Sequence, residues 1–270
     1  MARTKQPPAV RRQRIVELVG TSEFIVPADI AEALDVSGET IRRDLMMLEQ
    51  SGLLRRVHGG AIQEIVGSSE PDRASRTAFR RAEKREIAAA AVELIQPADA
   101  LFLDVGTTVE AIAEALPRSF HGTVITNSLH VAFMLGDRDE IRIEVLGGTL
   151  RAGEFTTSGP DAEAQAGRFH ADIAFIGASG VSIDAGMTDY SVEDSAVKQI
   201  MIAHSTRSFA VVGSEKIGKK ALRTVCSLTD LAGVITDSRV ALATTQQFED
   251  AGLLLLSHGS GRNRSPARIG

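Results

Sequence analysis

The stretch Val36-Ser37-Gly38-Glu39-Thr40-Ile41-Arg42-Arg43-Asp44-Leu45, continued by Leu53-Leu54-Arg55-Arg56-Val57-His58-Gly59-Gly60, decides the first part of the fold. Ser37 is a good N-cap, because its hydroxyl can accept from an otherwise unpaired N–H of the first helical turn. Ile41, Leu45 and Leu48 recur at four and three residues, the spacing of one buried helical face. Thr40, Arg42 and Arg43 are left pointing outward, with Met46 or Met47. Asp35-Val36 reads as a tight turn, and Pro27 suits the first position of a preceding helix with Ile30, Ala31 and Leu34 inward. Residues 11–19 supply another helix, with Ile15, Leu18 and Val19 at helical spacing and Gly20 as its stop. Gly52 ends the third helix, and 53–62 alternates well enough for a hairpin turning at His58-Gly59-Gly60. Three helices and a basic hairpin make a winged helix-turn-helix, which lays its last helix in the DNA major groove.

At 270 residues, with 43% apolar and 24% charged, the chain is long enough for two domains with their own cores. The net charge of -5 is not the basic excess of many DNA-binding proteins. Positive charge is instead local: Arg11, Arg12 and Arg14 on the first helix, Arg42 and Arg43 on the third, Arg55 and Arg56 on the hairpin. Local placement is what phosphate contacts need, since screening removes most charge effects beyond about 10 Å. The apolar run 87–95 is broken by Glu93 and falls short of a membrane span. The first eight residues are polar and lack a signal-peptide core. Cys226 is alone, which excludes an intrachain disulfide or a cysteine metal cluster, and the histidines show no metal-ligand spacing. A cytoplasmic protein without metal or cofactor is expected.

Residues 63–76 carry no periodicity, and a charged helix follows at about 80–95. From there the chain alternates buried strands (100–104, 123–126, 142–146, 173–176, 208–212, 233–236, 253–256) with helices (109–116, 129–135, 161–168, 194–204, 244–251). That alternation predicts an α/β domain with a largely parallel sheet and helices on both faces. The boundaries are drawn at 1–62 for the DNA-binding domain, 63–79 for a linker, 80–257 for the α/β domain and 258–270 for a disordered tail.

Ligands of open parallel sheets sit beyond the carboxyl ends of the strands. There this chain places Asp104-Val105-Gly106-Thr107-Thr108, Thr126-Asn127-Ser128, Gly147-Gly148-Thr149, Gly177-Ala178-Ser179-Gly180 and Gly213-Ser214-Glu215-Lys216. Glycine lets a ligand approach the backbone, and hydroxyls with helix N-terminal N–H groups hold phosphate. Five such turns on one rim point to a small phosphorylated or polyhydroxylated ligand, although each alone is common structural punctuation. Lys198, four residues after Asp194, reads first as half of a surface ion pair.

Over residues 10–256 the chain resembles the DeoR family of transcriptional regulators. The resemblance rests on Val36-Ser37, Thr40 to Leu45, Leu48-Glu49, Gly52 to Arg56 and His58 to Ala61, then on Asp104, Gly106, Thr107, Thr108, Thr126-Asn127-Ser128, Leu146-Gly147-Gly148, Gly159-Pro160, Gly177, Gly180, Val197-Lys198, Lys216 and Thr236-Asp237. It implies a C-terminal domain similar in fold to ribose-phosphate isomerase and CoA-transferase domains. It further implies a repressor of a carbohydrate operon, released by a sugar-phosphate-like effector and acting on double-stranded operator DNA as a homo-oligomer. Ser37, Thr40, Arg42, Arg43, Arg55, Arg56 and His58 would meet DNA. Asp104, Gly106, Thr107, Thr108, Thr126, Asn127, Ser128, Gly147, Gly148, Gly177, Gly180, Lys198 and Lys216 would hold the effector. Two positions depart from the family: Gly213-Ser214-Glu215-Lys216 replaces an Asp-x-Ser-Lys arrangement, and Asp194 stands where glutamate is usual. The alternative is an isomerase or CoA-transferase-like enzyme with an appended DNA-binding domain, using Asp104, Asp194, Lys198 and Lys216 as acid–base groups.

Arg43→Ala should cost about 1–3 kcal/mol of specific DNA binding, read by fluorescence anisotropy on the gene's own upstream DNA. Unchanged binding would place the recognition helix elsewhere.

Overall fold

Ile15, Val16, Ile30, Leu34, Ile41, Leu45, Leu48 and Leu54 bury one another in a single apolar cluster, and that burial organises the N-terminal part of the chain. The computed structural model describes residues 7–20, 25–50, 54–57, 60–62 and 70–258. Helices α1 (Pro8–Gly20), α2 (Pro27–Ala33) and α3 (Gly38–Gln50) precede the antiparallel strands β1 (Arg55–Val57) and β2 (Gly60–Ile62). Pro27 occupies the start of α2, as expected. Asp35 makes the turn between α2 and α3 at φ 50°, a left-handed conformation that aspartate tolerates better than most residues. The Ser37 hydroxyl accepts from the Thr40 N–H at 3.2 Å, the expected cap. The expectations for Gly52, His58 and Gly59 fall outside the described residues, as do those for 63–69 of the linker and 259–270 of the tail.

Asp44 is the charged member of this core. It lies on the buried face of α3 between Ile41 and Leu45, and a carboxylate there needs a counter-ion. Arg11 of α1 supplies it, with Nε 2.5 Å from Asp44 Oδ2, and Arg12 Nε stands 3.9 Å from Oδ1. By sequence Arg11 belongs with the local positive charges of the first helix. Instead it turns inward, to clamp α3 onto α1.

The linker expected over 63–79 is not irregular throughout. Asp72 accepts from the Ser75 N–H at 2.9 Å and caps α4 (Arg73–Ala78), after which Phe79 packs on the N-terminal cluster. Six residues are too few to show a helical period, so the cap was the one local sign. Two compact units result, Met1–Arg81 and Ala82–Gly270.

In the second unit α5 (Arg81–Val92) leads into β3 (Ala100–Leu103), α6 (Thr107–Ala115), β4 (Thr123–Thr126), α7 (Leu129–Leu135) and β5 (Arg142–Val145). A hairpin of β6 (Thr149–Arg151) and β7 (Thr156–Ser158) precedes α8 (Pro160–Ala166), β8 (Ala171–Gly177), β9 (Gly180–Ser182), β10 (Gly186–Asp189) and α9 (Val192–Ala203). The remainder is β11 (Ser205–Val211), β12 (Arg223–Cys226), β13 (Gly233–Thr236), α10 (Leu242–Asp250) and β14 (Leu255–Ser257). Seven strands form one parallel sheet in the order β14-β13-β11-β8-β3-β4-β5.

Both faces of that sheet are apolar, as a doubly covered parallel sheet requires. Leu101, Leu103, Ile173, Phe175, Phe209 and Val211 face one cluster with Ile87 of α5, Ile112 of α6 and Val131 of α7. The alternate residues Phe102, Ala174, Ile176 and Ala210 face the other, with Ala162 of α8, Val197 and Met201 of α9 and Phe248 of α10. The β6–β7 hairpin and the antiparallel sheet β12-β10-β9 were not anticipated. Their strands are three or four residues long and rich in glycine, threonine and serine, so no alternation marks them.

Asp44→Ala should deprive the Arg11 guanidinium of its buried carboxylate partner, lowering the stability of the first unit by about 3 kcal/mol. Amide hydrogen exchange checks this: faster exchange is expected in α1 and α3, with the second unit unchanged. Equal protection in both proteins would contradict the clamp.

Candidate DNA-reading face and effector site

The buried side of α3 leaves Ser37, Gly38, Glu39, Arg42, Arg43, Met46 and Met47 exposed, with Thr40 half-exposed. The side chains of Arg42 and Arg43 are 69% and 76% exposed, so both forks are available to a partner. Glu39, one turn earlier, stands 3.0 Å from Arg42 Nη2 and 3.4 Å from Arg43 Nε. Arg55 and Arg56 lie on β1, paired with Ile62 and Ala61 of β2, and His58 lies outside the described residues.

In the second unit, the carboxyl ends of the strands meet at a buried cation. Lys198, on α9, is 1% exposed. Its ammonium is paired with Asp104 at the end of β3, lies 3.2 Å from Asp189 of β10, and donates to the Gly177 carbonyl at 2.8 Å. The surface ion pair with Asp194 expected from the four-residue spacing does not form. Asp194 pairs instead with Arg151 of β6 at 2.6 Å. All three ammonium donors of Lys198 are therefore directed at the protein, and the lysine organises the site from behind.

Burial works against each charge here, and the pairing decides which way each moves. Lys198 is penalised by burial, but Asp104 and Asp189 outweigh that and raise its pKa. Asp104 has a single ammonium against complete burial, and burial pushes its carboxyl up to about 6. Asp189 is also buried, yet the Lys198 ammonium and the Tyr190 N–H hold its carboxyl below the ordinary value.

Several residues expected to touch a ligand are occupied locally. Ser128 caps α7 through the Val131 N–H at 3.3 Å, and Thr126 Oγ1 accepts from the Ser128 N–H at 3.0 Å. Asn127 Nδ2 donates to the Thr157 carbonyl at 3.0 Å, tying β4 to β7. Gly177 and Gly180 are close-packed: an added Cβ would lie 2.6 Å from Val105 O and 2.5 Å from Lys219 O. Gly148 likewise abuts Ser158 O at 2.5 Å, and Gly147 faces the Gln165 side chain. Gly106 differs: it opens α6 at φ 111° with nothing within 4 Å of an added Cβ. The α6 N-terminal N–H groups beside it, with Thr107 and Thr108, have the polarity an anion requires. Lys216 reaches across to the Ala178 carbonyl at 3.0 Å.

Asp104 Oδ1, Asn127 Oδ1, Thr156 Oγ1 and Asp194 Oδ1 are buried without a hydrogen-bond partner. The residues that carry them are linked by pairwise contacts: Asp104 to Lys198 of α9, Asp194 of the same helix to Arg151 of β6, and Asn127 to Thr157 of β7, the partner strand of β6. The carboxylate and amide oxygens among them can only accept, whereas the Thr156 hydroxyl can accept or donate. Asp189 and Arg151, missed in the sequence, complete the constellation; Asp189 had no periodic context and Arg151 sat in what read as a turn.

Within the departing turn 213–216, Gly213 and Glu215 are coupled. The Glu215 carboxylate folds back over Gly213, where an added Cβ would lie 2.3 Å from Oε2. A side chain at 213 and this placement of Glu215 exclude each other. Cys226 is half-buried, and burial pushes its thiol up to about 12, which disfavours the nucleophilic thiolate.

Residues 80–238 match the DeoR C terminal sensor domain, and residues 11–64 match the DeoR-like helix-turn-helix domain. The HTH-type transcriptional regulator GlpR of Haloferax volcanii is 31% identical over 251 residues, 92% of this chain and 97% of its own. The glycerol-3-phosphate regulon repressor of Escherichia coli is 31% identical over 240 residues, 89% of this chain and 95% of its own. Among solved structures, ribose 5-phosphate isomerase A of Methanocaldococcus jannaschii overlaps 50% of this chain and 53% of its own, with 17% identity and a TM-score of 0.38.

The buried charges give the site a pH signature. Between 3.8 and about 6, Asp104 is ionised in the unfolded chain but protonated in the folded one, so by itself it erodes stability as pH rises through that window. The raised Lys198 has the same pH slope in a higher window: its stabilising contribution is whole below 10.5 and is lost only above it. Lys198→Met should leave two buried carboxylates without their cation, costing about 3–5 kcal/mol near neutrality. Part of that loss should return toward pH 5.5 as a carboxyl takes a proton, read as a narrowing gap in Tm. A gap independent of pH would contradict the arrangement.

Proposed function

This chain belongs to the DeoR family of DNA-binding transcriptional regulators, and from that premise we propose that it represses a carbohydrate operon until a phosphorylated polyol or sugar releases it. The observation that carries the effector class is the row of buried, unpaired acceptors on Asp104, Asn127, Thr156 and Asp194. A buried acceptor without a donor costs about 1–3 kcal/mol, so ligand hydroxyls gain there what water would otherwise supply. The phosphate belongs at the α6 N-terminus, with Gly106, Thr107 and Thr108. Arg151, beside Asp194 and one-third exposed, is the cation best placed to assist. Lys198 orients Asp104 and does not itself meet the ligand.

On the DNA side, Arg42 and Arg43 read base edges, and Ser37 and Thr40 meet the backbone near the α3 start. Arg55, Arg56 and His58 of the wing add phosphate or minor-groove contacts. One module of this size reads few base pairs, so the active species is a homo-oligomer on repeated half-sites. No described helix is long and apolar enough to cross a membrane, and the reading places the protein in the cytoplasm with its operator.

The enzyme alternative has one supporting feature, the Asp104 carboxyl near 6. Its would-be partner Lys198 is a poor base, because its pKa is raised and its donors are engaged. We therefore infer sensing without turnover.

Anisotropy of labelled upstream DNA, titrated with a panel of sugar and polyol phosphates that includes glycerol 3-phosphate, tests this reading. One phosphate should release the DNA, and Asp194→Ala should raise the concentration required by roughly tenfold or more, as loss of one charged hydrogen bond predicts. Release by the unphosphorylated polyol at equal concentration, or no release by any phosphate, would contradict it.

A further inference from the structure

The exposed stripe of α3 holds a residue that the DNA contacts named above leave without a role. Glu39 lies one turn before Arg42 and Arg43, on the same outward face, and its carboxylate touches both guanidinium groups. A carboxylate among phosphate-binding cations weakens non-specific DNA binding, because it cancels one of the two charges and is itself repelled by the backbone. Its place at the start of the helix matters, since N-terminal residues of a recognition helix are those that reach base edges. In the major groove a carboxylate can only accept, and the donors there are the amino groups of cytosine N4 and adenine N6. Adenine sets its N7 acceptor beside N6 and repels a carboxylate; cytosine presents no acceptor.

We propose that Glu39 is a specificity-determining residue that accepts a hydrogen bond from the N4 amino group of an operator cytosine and, through its pairs with Arg42 and Arg43, restrains those arginines from indiscriminate phosphate binding. This rests on α3 being the recognition helix. A first-turn carboxylate also complements the helix dipole, but that role is independent of DNA and leaves base preference unchanged.

The test is selection of bound duplexes from a random library by the full-length wild type, E39A, E39Q and R43A, with binding to a non-cognate duplex measured alongside. Glu39 is exposed, and unchanged melting temperatures check that the variants fold. The wild-type motif should contain one cytosine per half-site whose preference E39A loses, a fall in discrimination of roughly 5- to 100-fold, with the other positions retained. E39A should also bind the non-cognate duplex more tightly. E39Q should shift that position toward adenine, because an amide matches the N6 donor and N7 acceptor together. An E39A motif that keeps every cytosine, while R43A loses a guanine, overturns the role of Glu39 alone. An R43A motif identical to wild type overturns the placing of α3 in the groove, and the proposal with it.

Discussion

Lys198 enters from α9 and directs its ammonium at Asp104, Asp189 and the Gly177 carbonyl, so β3, β8, β10 and one helix converge on a single buried charge. A lone charge at that depth is prohibitively costly, and each partner is therefore held where it is by the others. The close packing follows. Gly177 donates its N–H to Asp104 at 2.9 Å and has Val105 O against its Cα, where no side chain fits. The same pairing turns one oxygen of Asp104 toward the lysine and leaves the other unpaired, while Arg151 does this for Asp194. The cations thus fix the acceptors in place, and acceptors held in this way would lose little entropy on binding the proposed effector.

The first unit uses the same device at smaller scale. Asp44 is buried on α3 and pinned by Arg11, so this arginine serves the scaffold instead of the outward charge. What remains outward is a short stripe of two arginines and one glutamate on a helix whose start is capped by Ser37. A net charge of -5 is then compatible with specific binding, because net acidity opposes general attraction to phosphate while the outward arginines are local.

The helix-turn-helix was legible because its signals are local: a cap at Ser37, a left-handed turn at Asp35, and apolar residues at 41, 45 and 48 that all face the core. The parallel sheet was legible for a similar reason, since each buried strand announces itself as a short apolar run. The charge pairs were not. Spacing shows which residues share a helix face but not what stands opposite, and Lys198 meets a carboxylate 94 positions away instead of the one four positions away. The glycines misled in a different way: Gly148, Gly177 and Gly180 are small because backbone crosses them, and of the five glycines expected at the effector site only Gly106 opens onto free space. The β6–β7 hairpin carrying Arg151 was invisible because three-residue strands have no period to detect.

The central claim is that effector and operator compete for two states of one protein, and such competition is reciprocal by thermodynamic necessity. The most direct measurement is the affinity of the releasing phosphate for the full-length protein, by calorimetry, with and without saturating operator duplex. The account predicts that operator weakens phosphate binding by the same factor by which the phosphate weakens operator binding. A phosphate affinity indifferent to operator would mean that the polar rim of the sheet does not govern DNA binding at all.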